Sequence, residues 1–553
     1  MSAIKKSWIA CIGVSVLTAG LAWAETPEEE ISQSRTVSTL IVPGKAEQPV
    51  PNSSLKEMDI ESLEKVFENW KKLLGRVNKS HRRAPLPTTP TDFSQITPWA
   101  APSVTSATEA NRGGATNPLR VDVNSTPSTV NPGSSSVVNE PSVAAAGDYV
   151  FYTANWFAAA STDGGTTWSL VNPFTGPFAD PPGARFCCDQ QAHYDPASNS
   201  IFWLQQMIPN SNANEGVQRV NVDQDANGTW DCHYDVTAVD AGFTPLNLAD
   251  YPDFSVSAGN LFVTSNVFRN GGGFIGAFVA RLPLAEITTC APATVDFHTE
   301  TGFGSFRTTQ GAGDTMYFAD HETTQSLRVW SWPDADANAT FVSRATTPWS
   351  NAGRSCPDPN GRNWCGSIDS RLFGAALAGD NIAFFWTPAQ NPSGGFPFPY
   401  SQGIVLDTSD SLAVVDQPLI WSDDAAWTYP SLAGNSQGGF GGTVLWGGGT
   451  HFTQCSAFLA DSVNSFSFNP LEHETVTAGT SGPSINRSGD YLGTRVYSPN
   501  DRIFAGSCFE YQTTTAGTSR YLLFGRDLDF NGGLIFEDTF DSGGTGNWSS
   551  VSP

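Results

Sequence analysis

The chain has 553 residues and a formal net charge of −25, with 15% charged and 12% aromatic residues, 52 Gly and 37 Pro. This acidity argues against nucleic acid or an anionic membrane as a partner, because both bind through clustered Lys and Arg. Few charges together with many aromatic and turn-forming residues are typical of a large all-β protein that is exported.

Residues 1–24 have the features of a secretory signal peptide. Lys5 and Lys6 precede an apolar run from Trp8 to Leu21, and Ala22-Trp23-Ala24 forms a small-residue cleavage site. We therefore expect a mature protein that begins near Glu25 and is secreted or periplasmic. No later stretch approaches the roughly 18 apolar residues that a membrane span needs, so no span is predicted.

Nine cysteines include Cys11 of the signal peptide, and the eight that remain predict disulfides in an oxidising compartment. Proximity in sequence favours the pairs Cys356 with Cys365 and Cys455 with Cys508. The four other cysteines would share two bridges of open connectivity; they are Cys187, Cys188, Cys232 and Cys290. For the adjacent Cys187 and Cys188, we favour separate partners over a vicinal disulfide.

Residues 25–133 form an N-terminal segment with little sign of a core. Apolar residues from Leu55 to Leu74 recur at helical spacing and predict one amphipathic helix over about 54–77. A linker rich in Pro, Ser and Thr follows. Within it, the alternation from Leu119 to Val123 predicts a strand.

A similar unit appears seven times between Asn139 and about Asp527. Each unit has a polar or aromatic opening, a short small-residue strand, a turn, an aromatic strand and a third strand. Such repetition predicts an all-β fold, a β-propeller of seven four-stranded blades over 134–536, with six or eight blades as alternatives. A strand from the other end of the chain would close the ring, either Leu119 to Val123 or Leu534 to Phe536.

The stretch Ser161 to Ser169 reads S-T-D-G-G-T-T-W-S. It resembles the Asp box, or BNR repeat, S-x-D-x-G-x-T-W, of sialidase-like β-propellers in secreted bacterial proteins. In that family the box is a turn between the two outer strands of a blade, opposite the active site, so we interpret it as structural. The tail, 537–553, resembles an ending of secreted proteins from Gram-negative bacteria.

A propeller collects the first residues of its inner strands in a central funnel, where we place the candidate site. Sialidases hold a substrate carboxylate with three arginines and use a Glu-activated Tyr as nucleophile and an Asp as acid. The resemblance implies the following roles: Arg307, Arg371 and Arg495 as clamp, Tyr429 or Tyr491 as nucleophile, Glu140 as its base, and Asp189 or Asp253 as acid. The family's F-R-I-P motif is absent, and only one complete box is present.

Other roles stay open for funnel residues. A general glycosidase needs only two carboxylates, for which Glu140, Asp189, Asp253 and Asp490 are candidates. His321 is a candidate base or substrate contact beside Asp320 and Glu322, and Trp156 is a candidate platform for sugar. Each of these residues has the alternative role of closing the propeller through hydrogen bonds or packing.

Three stretches with closely spaced Asp and Asn resemble the start of calcium loops. They begin at Asp223, Asp334 and Asp527. Only the last has a carboxylate at position 12 of the loop, so a structural Ca²⁺ is predicted on Asp527, Asp529, Asn531 and Asp538. Turns bonded by the Asp and Asn side chains are the alternative, and no cofactor is otherwise required.

Two functions remain from the sequence. The first is a secreted, carbohydrate-acting propeller, with a sialidase-like glycoside hydrolase as the first hypothesis. The alternative is a noncatalytic propeller that binds glycan or protein.

Overall fold

A computed structural model describes residues 36–45, 117–130, 135–211, 213–270 and 272–530. Seven antiparallel sheets follow one another along the chain, each with at least four strands. This arrangement confirms the predicted seven-bladed β-propeller. The predicted signal peptide, the helix at 54–77 and the tail at 537–553 lie outside the described residues.

The blades are numbered here in chain order, and their strands are given from the axis outward. Blade 1 contains Ser142–Ala146, Tyr149–Ala154, Phe157–Ser161 and Ser169–Val171. Blade 2 contains Ala184–Asp195, Ser200–Pro209, Val217–Asp223 and Cys232–Thr237. Blade 3 contains Asn247–Val256, Asn260–Arg269, Gly272–Pro283 and Ala293–Glu300. Blade 4 contains Arg307–Thr308, Thr315–Thr323, Ser326–Pro333 and Thr340–Ala345.

The last three blades vary most at their outer edges. Blade 5 contains Leu372–Ala378, Asn381–Trp386, Ser401–Asp407 and Ala413–Asp416, with Leu419–Ile420 also paired to its third strand. Blade 6 contains Ala426–Gly434, Phe440–Gly448, His451–Ala460 and Glu472–Ala478. Blade 7 contains Gly493–Val496, Phe504–Glu510, Thr518–Arg526 and Leu119–Ser125. Within the described residues, the short helices are Pro127–Val130, Leu284–Ile287, Pro392–Gly394, Ser462–Asn464 and Asp527–Phe530.

The ring closes through Leu119–Ser125, the outer strand of blade 7, which pairs antiparallel with Thr518–Arg526. The first of the two predicted closing strands is therefore confirmed. Beside it, Arg526 is ion-paired at 2.7 Å with both Asp461 and Glu472 of blade 6. These pairs join the last blade to its neighbour next to the point where the ring closes.

Two further strands come from the part of the N-terminal segment that precedes the predicted helix, for which no element was predicted. Thr36–Ile41 pairs with the outer strand of blade 3, and Gly44–Lys45 pairs with the outer strand of blade 2. Pairing at a sheet edge uses backbone N–H and C=O groups. It therefore leaves little hydrophobic pattern in the sequence.

The turn from Ser161 to Trp168 joins the two outer strands of blade 1 and makes the contacts that its residues predict. Oδ1 of Asp163 accepts the backbone N–H groups of Thr166 and Thr167 at 3.0 and 2.8 Å. Trp168 packs edge-on against Tyr521 of blade 7, with ring centroids 5.5 Å apart. The turn thus stabilises the joint between blades 1 and 7.

Four disulfides are present. The pairs Cys356 with Cys365 and Cys455 with Cys508 are confirmed. The preference against a vicinal disulfide was wrong, because Cys187 is bonded to Cys188 and Cys232 to Cys290. Cys232 and Cys290 belong to neighbouring blades 2 and 3, whereas the adjacent cysteines lie inward in a bulge. Among the described residues, no helix has the length and apolar content that a membrane span requires.

Candidate functional site

Irregular backbone brings the first residues of several blades to the axis. The inner strands of blades 2, 3 and 6 each have a register shift against their second strand. Glu140, Tyr251 and Tyr429, at the openings of blades 1, 3 and 6, have φ of 54°, 55° and 55°. A bulge or a left-handed residue redirects side chains out of the alternation of a regular strand. These openings therefore present side chains that a regular strand would send into the spaces between blades.

Glu140 and Asp189 form a carboxyl pair between blades 1 and 2. Glu140 is fully buried and Asp189 is 6% exposed. Burial, the nearby charges of Asp189 and Asp490, and a hydrogen bond between the two carboxyls raise the pKa of Glu140 well above its ordinary value. Burial and the charges of Asp250 and Asp490 raise the pKa of Asp189 to about 7. The pair therefore retains a proton at neutral pH.

Two arginines and Asp490 form an ionic network beside this pair. Arg371 contacts both oxygens of Asp490 at 3.0 Å, and Arg487 contacts Oδ2 of Asp490 at 2.9 Å and Oε1 of Glu140 at 3.3 Å. Arg371 also pairs with Asp369 at 2.7 Å and lies 4.2 Å from the centre of the Tyr251 ring. The two guanidinium groups thus place positive charge against Asp490, next to the carboxyl pair.

The two tyrosines predicted as nucleophiles donate hydrogen bonds to the backbone. Tyr429 Oη donates to the carbonyl of Gly489 at 2.7 Å, and Tyr491 Oη donates to the carbonyl of Gln190 at 3.0 Å. Burial raises the pKa of both phenols well above the ordinary value. This arrangement stabilises the neutral phenols and does not provide the Glu-activated hydroxyl that the resemblance implies.

The three predicted clamp arginines form two groups. Arg307 lies 3.2 Å from Oδ1 of Asp253, whose Oδ2 accepts the N–H and hydroxyl of Thr308. Arg495 belongs to the same group, since the charges of Asp253 and Arg307 both act on its pKa, which burial lowers to about 10. Arg371 instead belongs to the ionic network at Asp490. The three guanidinium groups therefore do not converge on one position where a substrate carboxylate could bind.

His321 lies near the end of the second strand of blade 4, and Trp156 follows the second strand of blade 1, next to Asn155, whose Nδ2 donates to Oε2 of Glu140 at 2.7 Å. The His321 ring packs between Trp349 and Trp386, at centroid distances of 4.8 and 5.0 Å, and burial lowers its pKa to about 3. Asp320, one of the two acidic residues beside it in sequence, accepts hydrogen bonds from Arg328 and Trp330. Trp156 is half-buried in a turn, with φ of 75°. These placements give no arrangement suited to a general base.

The acidic stretches make hydrogen bonds typical of turns. Asp223 accepts the N–H groups of Asn227 and Gly228 at 3.2 and 2.7 Å. Carboxylate oxygens of Asp223, Asp225 and Asp231 lie within 4.8 Å of one another, close enough to share a cation. Asp334 instead contacts blade 3, accepting from Ser257, Gly259 and Asn260.

The stretch at Asp527, for which calcium was predicted, is only partly described. Asp527 is ion-paired with Arg120 at 3.0 Å. Asp529 is nearly buried in the helix Asp527–Phe530, and Asn531 and Asp538 lie outside the described residues. The guanidinium already supplies positive charge at Asp527, which disfavours a second cation there. Calcium at this place stays a prediction.

Sequence reasoning missed Arg487, Asp369 and Asp250 as members of the axial cluster. Arg487 lies three residues before Asp490, in the connection that enters blade 7. Asp250 directly precedes the opening of blade 3, which begins at Tyr251, and Asp369 is the first residue of the opening of blade 5, two residues before Arg371. Extending each opening by three residues toward the N-terminus would have included Arg487 and Asp250. Asp369 already lay inside its opening but was not considered as a site residue.

The chain matches no protein-family model and no curated protein. Among solved structures, it is similar to an α-L-arabinanase from Penicillium chrysogenum, with 12% identity, 74% of this chain and 98% of that chain covered, and a TM-score of 0.35. It is also similar to a Trypanosoma rangeli sialidase (12% identity, 60% and 57% covered, TM-score 0.36) and to the SapL1 lectin (10%, 62% and 97%, 0.33). Likenesses this distant say nothing about what the chain binds.

Proposed function

We propose that this chain acts on carbohydrate as a glycoside hydrolase, with Glu140 and Asp189 supplying acid–base chemistry at the propeller axis. The observation that carries the proposal is the buried, hydrogen-bonded carboxyl pair, in which the pKa of Asp189 is raised to about 7. A carboxyl group that keeps its proton at neutral pH can protonate the leaving oxygen of a glycosidic bond.

Asp490 would take the complementary role. Arg371 and Arg487 hold it ionised, and its side chain is 15% exposed. A carboxylate beside a protonated carboxyl is the combination that glycoside hydrolysis requires, since the second group stabilises the developing positive charge or activates water. Asp189 is therefore the proposed acid, Glu140 its proton-sharing partner, and Asp490 the proposed base or stabilising carboxylate.

A neutral glycan is the substrate class that this arrangement favours over a sialoside. Binding a substrate carboxylate needs guanidinium groups free to accept it. Arg371 is paired with two carboxylates and Arg307 with Asp253. A sialoside would have to displace these partners, whereas a neutral sugar would accept hydrogen bonds from Arg487, whose side chain is 33% exposed.

The test is turnover by the purified full chain on a panel of neutral oligosaccharides, aryl glycosides and sialosides. Asp189→Asn should lower turnover by about 10²- to 10⁴-fold, the usual contribution of a general acid. Asp163→Asn, which alters a carboxylate in the turn of blade 1, is the matched control and should change turnover less than about 2-fold. Absence of turnover on every glycan, or full activity of Asp189→Asn, would refute the proposal.

The second candidate is a noncatalytic glycan-binding propeller. It is favoured by the mutual pairing of the axial charges and by the complete burial of Glu140, because such a network also serves simply to close the ring. In that case the wild type would bind members of the same panel without cleaving them. Asp189→Asn would then leave binding to the panel unchanged.

A further inference from the structure

A disulfide between adjacent residues lies directly before the proposed acid. Cys187 and Cys188 are bonded to each other in the inner strand of blade 2, followed at once by Asp189. In this strand Phe186 pairs with Met207 and Gln190 pairs with Gln205, so three residues face the single residue between those partners. The three residues are Cys187, Cys188 and Asp189, and the one facing them is Gln206.

The role of this disulfide must be local. A bridge stabilises a protein mainly by closing a loop of the unfolded chain, and the effect grows with loop length. Cys187 and Cys188 are one residue apart in sequence, whereas Cys232 and Cys290 are 58 apart. The vicinal bridge encloses no such loop, so its effect is confined to the backbone of the bulge that carries Asp189.

Contacts of the bulge lead to Asp250, whose charge acts on Asp189. Cys188 Sγ lies 3.3 Å from Oε1 of Gln206, and Nε2 of Gln206 donates to Oδ1 of Asp250 at 2.8 Å. Cys187 and Cys188 are 3% and 8% exposed and pack with Ile208 and Leu248. The disulfide thus packs against apolar side chains and against the side-chain amide of Gln206.

We propose that the disulfide between Cys187 and Cys188 is a positioning element that holds the carboxyl of Asp189 against Glu140. A second consequence is redox sensitivity. An external dithiol would break the S–S bond, passing two electrons and two protons to the cysteines as two thiols, and would itself become a disulfide. The bulge would then regain backbone freedom, and Asp189 would lose its fixed place in the pair. The catalytic consequence rests on the proposed function, whereas the positioning itself does not.

The test measures the titration of Asp189 directly, because this readout does not require turnover. Three charged groups, Asp250, Asp490 and Arg487, and a hydrogen bond with Glu140 act on this carboxyl. Carboxyl ¹³C NMR of the full chain, assigned by loss of the signal in Asp189→Asn, gives the pKa of this group. We expect Cys187→Ser combined with Cys188→Ser to lower that pKa by at least one unit, because a released carboxyl gains solvent. Wild type treated with dithiothreitol should show the same shift.

The matched control is Cys232→Ser combined with Cys290→Ser, which removes a bridge between the outer parts of blades 2 and 3. This variant should lower the melting temperature and leave the titration of Asp189 in place. An unchanged titration in the Cys187/Cys188 double variant would overturn the positioning proposal, even if the protein is an active glycosidase. A shifted titration in a protein that cleaves no glycan would support positioning and refute the proposed function.

Discussion

Two aspartates of this propeller have opposite environments. Asp163, in the turn of blade 1, is exposed, and hydrogen bonds from Thr167 and Ser161 lower its pKa to about 2. Asp189, at the axis, is buried beside other carboxyls, and its pKa is raised to about 7. The Asp163 carboxylate accepts hydrogen bonds within its own turn. Burial and the charges of Asp250 and Asp490 instead disfavour the ionised form of Asp189. A pKa shifted by burial and neighbouring charges, as for Asp189, is typical of functional sites.

The largest expected effect on this difference between surface and axis comes from removing a positively charged side chain at the axis. Arg371→Met removes the guanidinium group that is ion-paired with Asp369 and Asp490 and keeps the pair between Arg487 and Asp490. Truncating one member of a buried ion pair typically costs about 3–5 kcal/mol of unfolding free energy. Chemical denaturation should show a loss of this size.

The control for this change is Arg120→Met. Arg120 pairs with Asp122 and Asp527 at the surface, and its side chain is 36% exposed. Exposed ion pairs contribute about 0–1 kcal/mol. Equal losses of unfolding free energy in the two variants would show that the axial ion pairs contribute no more to stability than the surface pairs.

The turn of blade 1 offers a smaller test with two adjacent glycines. A Cβ on Gly165 (φ +90°) would lie 2.2 Å from the Tyr521 ring, whereas a Cβ on Gly164 (φ +69°) meets nothing within 4 Å. Gly165→Ala should therefore lose about 1–3 kcal/mol for overpacking beyond the cost of backbone strain, and Gly164→Ala only the latter. Thermal unfolding checks this, and neither variant should affect turnover.

A third test concerns the pH dependence of turnover. The acid and alkaline limbs of a pH–rate profile report different groups, and the alkaline limb reports the general acid, which must be protonated. Turnover should therefore fall as pH rises through about 7, the pKa of Asp189. Arg487 lowers the pKa of Asp189 and of Glu140. Arg487→Met should therefore move the alkaline limb to higher pH. Arg487→Lys keeps the charge and should move it less, and an identical limb in all three proteins would contradict the assignment.

A last test separates the two aspartates by how each changes the pH dependence of the free energy of unfolding. The folded pKa of Asp163 is about 2, below the ordinary 3.8, so its contribution to stability is present above pH 4 and is lost as pH falls toward 2. The folded pKa of Asp189 is about 7, so its protonated form favours folding at low pH, and this contribution is lost as pH rises from about 4 to 7. Comparing each Asp→Asn variant with wild type across pH should give slopes of opposite sign.

Repetition along the chain made the fold readable. Each blade is formed by consecutive residues, so seven similar units predicted seven sheets, and the alternation from Leu119 to Val123 indicated a strand that proved to close the ring. The edge strand Thr36–Ile41 left no such signal, because it pairs through backbone on blade 3 and has only Ile41 buried.

The candidate site was only partly readable. Glu140, Asp189, Arg371 and Asp490 were identified because each begins a blade. Their pairing was not, since Arg371 and Asp490 are 119 residues apart and meet only when the ring is complete. The vicinal disulfide was missed for a similar reason. The adjacent cysteines are bonded to each other within a bulge, and the sequence of their own strand does not reveal this bulge, because it depends on the register with the neighbouring strand.

The outer strand of blade 7 has a consequence for how the molecule is made. Its residues, Leu119–Ser125, emerge early during synthesis, yet their partner Thr518–Arg526 emerges about 400 residues later. Until then, one edge of the growing disc has no neighbour, and the axial charges from blades 5 and 7 cannot meet those from blades 1 and 2. The contacts of Asp490 with Arg371 and of Arg487 with Glu140 can therefore form only after the last blade has been made, and fragments that lack this blade should lack both the closing strand pair and these ion pairs.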